Sequence, residues 1–349
     1  MSAQKVFVGM SGGVDSSVTA ALLVEQGYDV TGVYMKNWTQ DLPGMHCPWA
    51  DDLADAKRVA VQLGIDFTVF DFETEYHQKV VDYMIDEYKQ GRTPNPDIMC
   101  NQEVKFKLFL ETALENGADM IATGHYARTK DGQLLRAVDG NKDQTYFLYR
   151  VTAAALQKTL FPLGEFTKPE VREMAKQRGL FTAAKKDSQG ICFVGQIGIR
   201  EFLSQYVEQK AGPIIDKQTG GVLGYHDGAI FYTIGQRHGL DVGGGLPYYV
   251  VGKDMGSNTV YVTINLNDTA LWRPEFTLSQ VHTISGQALQ DGKYEIRVRH
   301  RASLAEATVS ADDDGNYSVV PVNAERAVAP GQSVVLYSGE VCVGGGIVC

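Results

Sequence analysis

The feature that most constrains this chain is a glycine- and serine-rich turn near its start, which reads S-G-G-V-D-S-S at residues 11–17. An apolar run at 5–10 precedes the turn and predicts a buried strand, while residues 16–26 follow a helical pattern that Gly27 stops. Glycines let the backbone approach an anion closely, and the first turn of a helix offers N–H groups that have no partner within the helix. The sequence therefore predicts a strand-to-helix turn that binds phosphate.

The same turn narrows the chemistry. It lacks the G-K-[S/T] ending of the common NTPase loop, and with it the lysine that reaches the β- and γ-phosphates, so hydrolysis at the γ-phosphate is disfavoured. The residues S-G-G-V-D-S resemble the pyrophosphate loop of the N-type ATP pyrophosphatases, which split ATP into AMP and pyrophosphate while adenylating a substrate oxygen. A plain Gly-Ser turn in an α/β domain is the alternative, and the motif alone does not name the substrate.

Strand and helix patterns alternate through the first part of the chain, which predicts an α/β domain built on a parallel sheet with helices on both faces. The predicted strands after the turn lie at 28–35, 66–72 and 118–124, and the helices at 53–63, 76–90 and 106–116. Pro94 and Pro96 predict a stiff, extended loop over residues 91–102 rather than a helix. A hairpin is expected at 128–138, and a capping box at Thr167 opens a further helix.

From Gly212 onward the helical periodicity disappears, and turn pairs such as Asp227-Gly228 and Asp291-Gly292 separate short β-branched and aromatic runs. This pattern is typical of small all-β domains and barrels. We expect three domains: an α/β catalytic domain at 1–207, a β-rich central domain at 208–271 that links the other two, and a C-terminal β-barrel at 272–349.

Composition excludes several classes of protein. No apolar run among the 349 residues is long enough for a membrane span or a signal peptide, so we expect a cytoplasmic protein. The five cysteines are scattered and form no C-x-x-C pair, which argues against a zinc ribbon or a disulfide framework. The net charge of −10 argues against nucleic-acid binding unless a local basic patch overrides it.

Two cysteines lie in segments that favour a reactive thiolate. Cys100 comes just before a predicted helix, whose dipole lowers a thiol pKa, and Cys192 lies in a glycine-punctuated loop close to two lysines. A small buried hydrophobe is the alternative for any single cysteine, and it suits Cys342 and Cys349. The role of Cys47 stays open.

Further motifs make the resemblance specific. They are N-P-D-x-x-C at 95–100, G-H-Y at 124–126, K-D-Q-x-Y-F-L at 142–148, S-Q-G-I-C-F at 188–193 and Y-T-I-G-Q-R-H-G-L at 232–240. Together with S-G-G-V-D-S, and in this order, they resemble the bacterial tRNA-specific 2-thiouridylase family over nearly the whole chain.

That resemblance implies a set of site residues. The implied ATP contacts are Gly9, Met10, Ser11, Gly12, Gly13, Val14, Asp15, Ser16, Met35 and Gly124. The implied contacts to the target base are Asn95, Pro96 and Asp97. The implied tRNA contacts are His125, Lys142, Asp143, Gln144, Arg299, His300 and Gln332.

The resemblance also implies a reaction. Adenylation turns O2 of the wobble uridine into a good leaving group, and a persulfide on Cys192 supplies sulfur, either directly or after Cys100 attacks it and leaves a Cys100–Cys192 disulfide. Asp97 is the expected acid or base, with a loop-capping aspartate as the alternative. Mg²⁺ is expected to accompany ATP without an assigned protein ligand. The D-x-x-C spacing at 97–100 weakens any case for an iron–sulfur cluster.

The implied partners are the anticodon loops of the Lys, Glu and Gln tRNAs, and a persulfide-donating sulfur carrier or cysteine desulfurase. Strand alternation places Lys293, Arg297, Arg299 and Arg301 on one face, which predicts a basic stripe for phosphates or, alternatively, a solvated outer face. The rival functions are a nucleotide-amidating synthetase with the same loop and a non-catalytic tRNA-binding protein. Neither explains both the intact loop and the two placed cysteines.

Overall fold

The computed structural model describes residues 3–41, 47–186, 198–243 and 245–349. A parallel five-stranded sheet in the order β3-β2-β1-β4-β7 forms the centre of the first domain. Its strands are β1 (Lys5–Gly9), β2 (Asp29–Lys36), β3 (Asp66–Asp71), β4 (Met120–Ala122) and β7 (Thr159–Leu160). The predicted α/β domain built on a parallel sheet is confirmed.

Helices cover both faces of this sheet. The α-helices of the first part of the chain are α1 (Val14–Glu25), α2 (Trp49–Leu63), α3 (residues 73–89), α4 (residues 96–115), α5 (Thr145–Leu148), α6 (Ala153–Gln157), α7 (Lys168–Gln177) and α8 (Ile199–Leu203). β1 is apolar on both sides: Val6 and Val8 pack toward α1 and α2, and Phe7 packs toward α3 and α4. Burial on both faces explains why its residues form an almost continuous hydrophobic run.

Helix α4 corrects the sequence interpretation of the proline-containing segment. It begins at Pro96 as a short α-helix (Pro96–Met99), continues as a π-helix (Cys100–Leu108) and ends as an α-helix (Phe109–Glu115). The predicted loop over 91–102 is therefore wrong in its second half. Proline is well tolerated in the first helical position, because the N–H that it lacks would have no partner there.

The second half of the chain is β-rich, as predicted. The central sheet has the order β10-β11-β8-β9, and a six-stranded barrel follows, closed by pairing of β13 with β19. The central strands are β8 (Gly212–Asp216), β9 (Val222–His226), β10 (Tyr249–Asp254) and β11 (Thr259–Thr263). The barrel strands are β13 (Phe276–Thr283), β14 (Gly292–Arg297), β15 (Ala305–Ala311), β16 (Tyr317–Pro321), β18 (Ser333–Ser338) and β19 (Val341–Val348), and two short strands, β12 (Trp272–Arg273) and β17 (Glu325–Arg326), pair with each other.

The predicted hairpin, β5 (Arg128–Lys130) and β6 (Gln133–Leu135), extends the barrel sheet rather than the sheet of its own domain. β6 pairs with β19, and the ion pair between Arg128 and Glu340 crosses the same junction at 3.3 Å. The catalytic domain and the barrel are thus joined by strand pairing. The boundaries at 207 and 272 stay predictions.

Candidate active site

The glycine-rich turn lies at the carboxyl end of β1 and is held by its own hydroxyl groups. Ser11 donates its backbone N–H to Ser16 Oγ at 3.2 Å, and Ser17 Oγ donates to the carbonyl of Gly13 at 2.7 Å. Gly13 is the N-cap of α1, and no side chain caps that helix start within the described part of the chain. The first N–H groups of α1 therefore lack a side-chain cap, as in helix starts that bind phosphate.

The glycines of the turn have different roles. A Cβ on Gly12, whose φ is +70°, would lie 2.4 Å from the carbonyl oxygen of Asp52, so Gly12 is required by the close approach of α2. A Cβ on Gly13 would meet Ser11 Oγ alone, at 3.4 Å. Gly124 packs against the start of α1, where its Cβ would lie 2.9 Å from the nitrogen of Ser16. Gly13 is thus the glycine that leaves room for a ligand.

A buried cation completes this end of the site, and sequence reasoning missed it. Lys168 Nζ lies 2.7 and 2.8 Å from the two carboxylate oxygens of Asp15, and the hydroxyl of Tyr126 donates to the same carboxylate at 3.0 Å. The Lys168 side chain is 10% exposed. The sequence pattern that could have pointed to Lys168 is the capping box of Thr167 and Glu170, because it makes Lys168 the first residue of α7.

Helix α4 presents the residues predicted to meet the target base. The side chain of Asn95 caps it by accepting the N–H groups of Asp97 and Ile98, and this places Asp97 in the first turn. Burial raises the pKa of the Asp97 carboxyl, and the positive charge of Lys105 opposes that shift. Cys100 follows in the next turn and is buried at 3% exposure.

The carboxyl ends of β2 and β4 bring further predicted residues to the same edge. Met35 Cε would lie 3.0 Å from a Cβ on Gly9, so these two predicted ATP contacts are neighbours. His125 packs against Phe106 of α4 with 5.5 Å between ring centroids and the ring planes tilted by 50°, and its Nδ1 lies 2.8 Å from Thr123 Oγ1. Burial and the charge of Lys105 hold the pKa of His125 well below its ordinary value, so the ring is neutral at physiological pH.

The other cysteines differ in their surroundings. Cys192 lies outside the described residues, so neither its predicted role nor its pairing with Cys100 is tested. Cys342 is buried, as the hydrophobe interpretation expected, and burial raises the pKa of its thiol. Cys349 is exposed, which corrects the same expectation for that residue. Cys47 is buried, and burial raises the pKa of its thiol as well.

The predicted tRNA residues at 142–144 do not form one surface. Asp143 is 2% exposed, accepts a hydrogen bond from Thr145 Oγ1 and forms an ion pair with Arg297 at 2.8 Å. Gln144 accepts the N–H of Tyr126 at 2.8 Å, and Lys142 lines an open groove. Asp143 is therefore an internal counter-ion in this structure, since its carboxylate does not reach the surface.

The predicted basic stripe is also corrected. β14 ends at Arg297, which is 8% exposed, so the strand alternation assumed for residues 299 and 301 does not continue. Arg299 and His300 instead line a groove of about 760 Å³, and Arg301 lies between this groove and the smaller one of about 350 Å³ beside Lys142. Arg301 has a φ of 64°, a conformation that non-glycine residues adopt mainly where the surroundings impose it.

Gln332 lies next to a contact between the barrel and α4. Gln332 Oε1 accepts the N–H of Ala329 at 3.1 Å, and the preceding Gly331 packs on the segment that leads into α4. Thr93 donates its N–H to the carbonyl of Pro330 at 2.8 Å, and its hydroxyl lies 3.0 Å from that of Thr233 in the central domain. All three domains therefore meet just before Asn95.

The described residues include no cluster of three or more His, Cys, Asp or Glu side chains arranged to hold a metal ion. Among the same residues, no helix combines the length and the apolar character that crossing a membrane requires.

Three family models match successive parts of the chain. They are described as a tRNA methyl transferase HUP domain at 4–196, a tRNA methyl transferase PRC-barrel domain at 200–264 and an aminomethyltransferase beta-barrel domain at 273–348. The chain is similar to solved structures as well, among them a 4-thiouridine synthetase–RNA complex with bound ATP. That match has 19% identity and a TM-score of 0.39, and it covers 58% of this chain and 50% of the other, a likeness too weak to bear on function.

Curated relatives match over almost their full length. The chain is 48% identical to tRNA-specific 2-thiouridylase MnmA of Listeria monocytogenes serovar 1/2a over 350 residues, which cover 99% of this chain and 94% of the relative. It is also 48% identical to the protein of the same name from Bacillus thuringiensis strain Al Hakam, with 98% and 93% covered. The chain therefore belongs to the tRNA-specific 2-thiouridylase family.

Proposed function

We propose that the protein uses ATP to adenylate O2 of the wobble uridine of tRNA and then replaces that oxygen with sulfur, releasing AMP and pyrophosphate. The observation that carries the proposal is the glycine-rich start of α1, where Gly13 is an N-cap without a side-chain hydrogen bond and the Lys168 ammonium is fixed on Asp15 of the first turn. Family membership and the relatives named for 2-thiouridylation support the choice of substrate and reaction.

In the first step, uracil O2 attacks the α-phosphorus of ATP, and the bond to the bridging oxygen of pyrophosphate breaks. The N–H groups at the start of α1 hold negative phosphate oxygens, and Lys168 adds a positive charge where charge builds up on pyrophosphate. Mg²⁺ would arrive with the ATP phosphates and retain most of its water ligands, so it needs no dedicated cage of side chains. Asp97, protonated more readily than an ordinary aspartate because of its burial, moves the uracil proton.

In the second step, a persulfide on Cys192 brings sulfur to C2 and AMP leaves. Cys100 attacks the inner sulfur of the persulfide, so that hydrosulfide is released beside the activated carbon and a Cys100–Cys192 disulfide is left for an external thiol to reduce. Direct attack by the persulfide on C2 is the alternative. A sulfur carrier or cysteine desulfurase loads Cys192 again in either route.

We further propose that the grooves around Lys142, Arg299 and Arg301 hold phosphates of the anticodon loop of Lys, Glu and Gln tRNAs. The target base must leave its stack to reach α4, which favours an anticodon loop over a paired stem. The cytoplasm is the compartment in which these substrates meet.

The nucleotide products test this proposal. With tRNA and ATP, the wild-type protein should release AMP and pyrophosphate in equal amounts, and Asp15→Ala should abolish the release because Lys168 loses its anchor. Labelled ATP separated by thin-layer chromatography gives the answer. Release of ADP and phosphate in equal amounts would contradict the assignment, and so would pyrophosphate release at a rate that does not depend on tRNA.

A further inference from the structure

One polar atom near the nucleotide edge lacks an explanation in the fold. Asn37 directly follows β2, and its Oδ1 is buried without a hydrogen-bond partner among the described residues. Buried acceptors in proteins are nearly always satisfied, and leaving one unsatisfied is costly, so such an atom calls for a ligand or a bound water.

The backbone on both sides of Asn37 is fixed. The carbonyl of Lys36 accepts the N–H of Phe72 at 2.9 Å. Trp38 is 7% exposed, stacks on His77 with 6.1 Å between ring centroids, and donates its indole N–H to the carbonyl of Gln40 at 2.9 Å. The main chain around Asn37 is therefore fixed, and none of the described residues offers a hydrogen bond to its Oδ1.

The position of Asn37 indicates which ligand it meets. Nucleotides lie across the carboxyl ends of the strands in a doubly wound sheet. The phosphate-binding groups, Asp15 and Lys168 with Tyr126, lie toward β4. Since β2 flanks β1 on the opposite side, the base of the nucleotide extends toward the end of β2. Asn37 directly follows the last residue of β2, so it lies at the carboxyl edge of the sheet, two residues after the predicted ATP contact Met35.

We propose that Asn37 is a specificity-determining residue for the nucleotide, whose Oδ1 accepts a hydrogen bond from the 6-amino group of adenine. A carboxamide oxygen accepts but does not donate, so it fits the amino group of adenine and opposes the 6-oxo group of guanine. This inference rests on the proposed use of ATP, and it adds a residue to which no nucleotide role has been assigned above.

The test removes each side of the hydrogen bond in turn. Purine riboside 5′-triphosphate lacks only the 6-amino group, and Asn37→Leu lacks only the acceptor. We expect the Kd of the wild-type protein, measured by equilibrium dialysis without tRNA, to be about tenfold weaker for the analogue than for ATP. Asn37→Leu should bind ATP about tenfold more weakly and show no further loss with the analogue.

Two matched variants separate recognition from damage to the fold. Gln40→Leu changes an exposed side chain of the same segment and should keep the wild-type preference for ATP. Asn37→Asp keeps an acceptor oxygen and should retain the discrimination. An Asn37→Leu protein that still prefers ATP over the analogue by tenfold would overturn the proposal, and so would a wild-type protein that does not discriminate. A raised KM for tRNA with an unchanged Kd for ATP would assign Asn37 to the uridine instead and overturn it too.

Because binding is measured directly, this result does not depend on turnover. If the wild-type protein binds ATP with the expected preference but releases no pyrophosphate, the proposed function fails while the role of Asn37 stands.

Discussion

Lys168 shows how one side chain can govern a phosphate site without belonging to the recognised motif. Its ammonium bridges both carboxylate oxygens of Asp15 and is almost fully buried. A buried charge is retained when a partner compensates it, and here Asp15 does so on one side. We propose that this fixed positive charge acts on pyrophosphate, where negative charge increases during the reaction.

Replacing this cation should impair chemistry more than stability. We expect Lys168→Met to lower kcat/KM for pyrophosphate release about a hundredfold, because a fixed positive charge at the leaving group is lost. Lys176→Met, which removes an exposed lysine from the same helix, is the matched control and should behave as the wild type. Equal activity of the two variants would show that Lys168 has only a structural role.

Asp97 should couple pH to stability. Its pKa is raised in the folded protein by burial, so the folded state holds the proton more readily than the unfolded state does. Stability from this group is therefore fully present below the ordinary aspartate pKa and is lost as pH rises through the raised value. We expect Asp97→Asn to melt at a higher temperature than the wild type at pH 7.5, and the difference to shrink on acidification. A difference that grows on acidification would contradict the burial of this carboxyl.

At the scale of elements, the sequence predicted four of the five strands of the first sheet within a few residues, because apolar runs and glycine stops are local signals. It did not predict the two-residue strand β7 or the short helices α5 and α6. It failed at α4, where Pro96 was taken to prevent a helix that it actually begins. The pairing of β6 with β19 could not be predicted either. The residues of β6 and β19 are far apart in sequence, and no local pattern reports a strand pairing between domains.

The contact between Gly331 and the segment before α4 gives an element-scale prediction. A Cβ on Gly331, whose φ is +87°, would lie 2.7 Å from the nitrogen of Thr93, whereas Gly339, at +60°, has open space around it. Both alanine variants should lose about 1 kcal/mol of unfolding free energy to backbone strain. Gly331→Ala should lose more and should also slow tRNA thiolation, since it displaces the start of α4. Equal denaturation midpoints and equal rates would show that this contact does not position the helix.

At the scale of the whole molecule, some charged side chains are buried in ion pairs and others line open grooves. The sequence alone did not distinguish the two kinds. Arg297 and Arg299 look alike in the alternating pattern, yet Arg297 is buried against Asp143 while Arg299 lines an open groove. The end of β14 causes this difference, and strand ends are among the least predictable features of a sequence. The phosphate turn was predictable because one short segment forms most of it.

Substitution of the buried arginine should change stability, whereas substitution of the groove-lining arginines should change tRNA binding. Arg297→Ala should lower the free energy of unfolding by about 3–5 kcal/mol, because it leaves the carboxylate of Asp143 buried without its counter-ion. The double variant Arg299→Ala with Arg301→Ala should keep its stability but bind tRNA more weakly, with a smaller dependence of log Kd on log salt concentration. Urea denaturation and filter binding across a salt series measure the two effects. An unchanged salt slope in the double variant would show that these arginines contact no phosphate.

The central claim is that ATP cleavage and sulfur insertion into tRNA are one reaction of this protein. The most direct test is the mass of the wobble nucleoside after tRNA is incubated with the protein, ATP and a persulfide donor. We predict that one sulfur replaces one oxygen in the wild-type reaction, that omission of ATP prevents the exchange, and that Cys100→Ser and Cys192→Ser each prevent it while pyrophosphate release continues. A wobble nucleoside of unchanged mass, with AMP and pyrophosphate formed in full, would contradict the account.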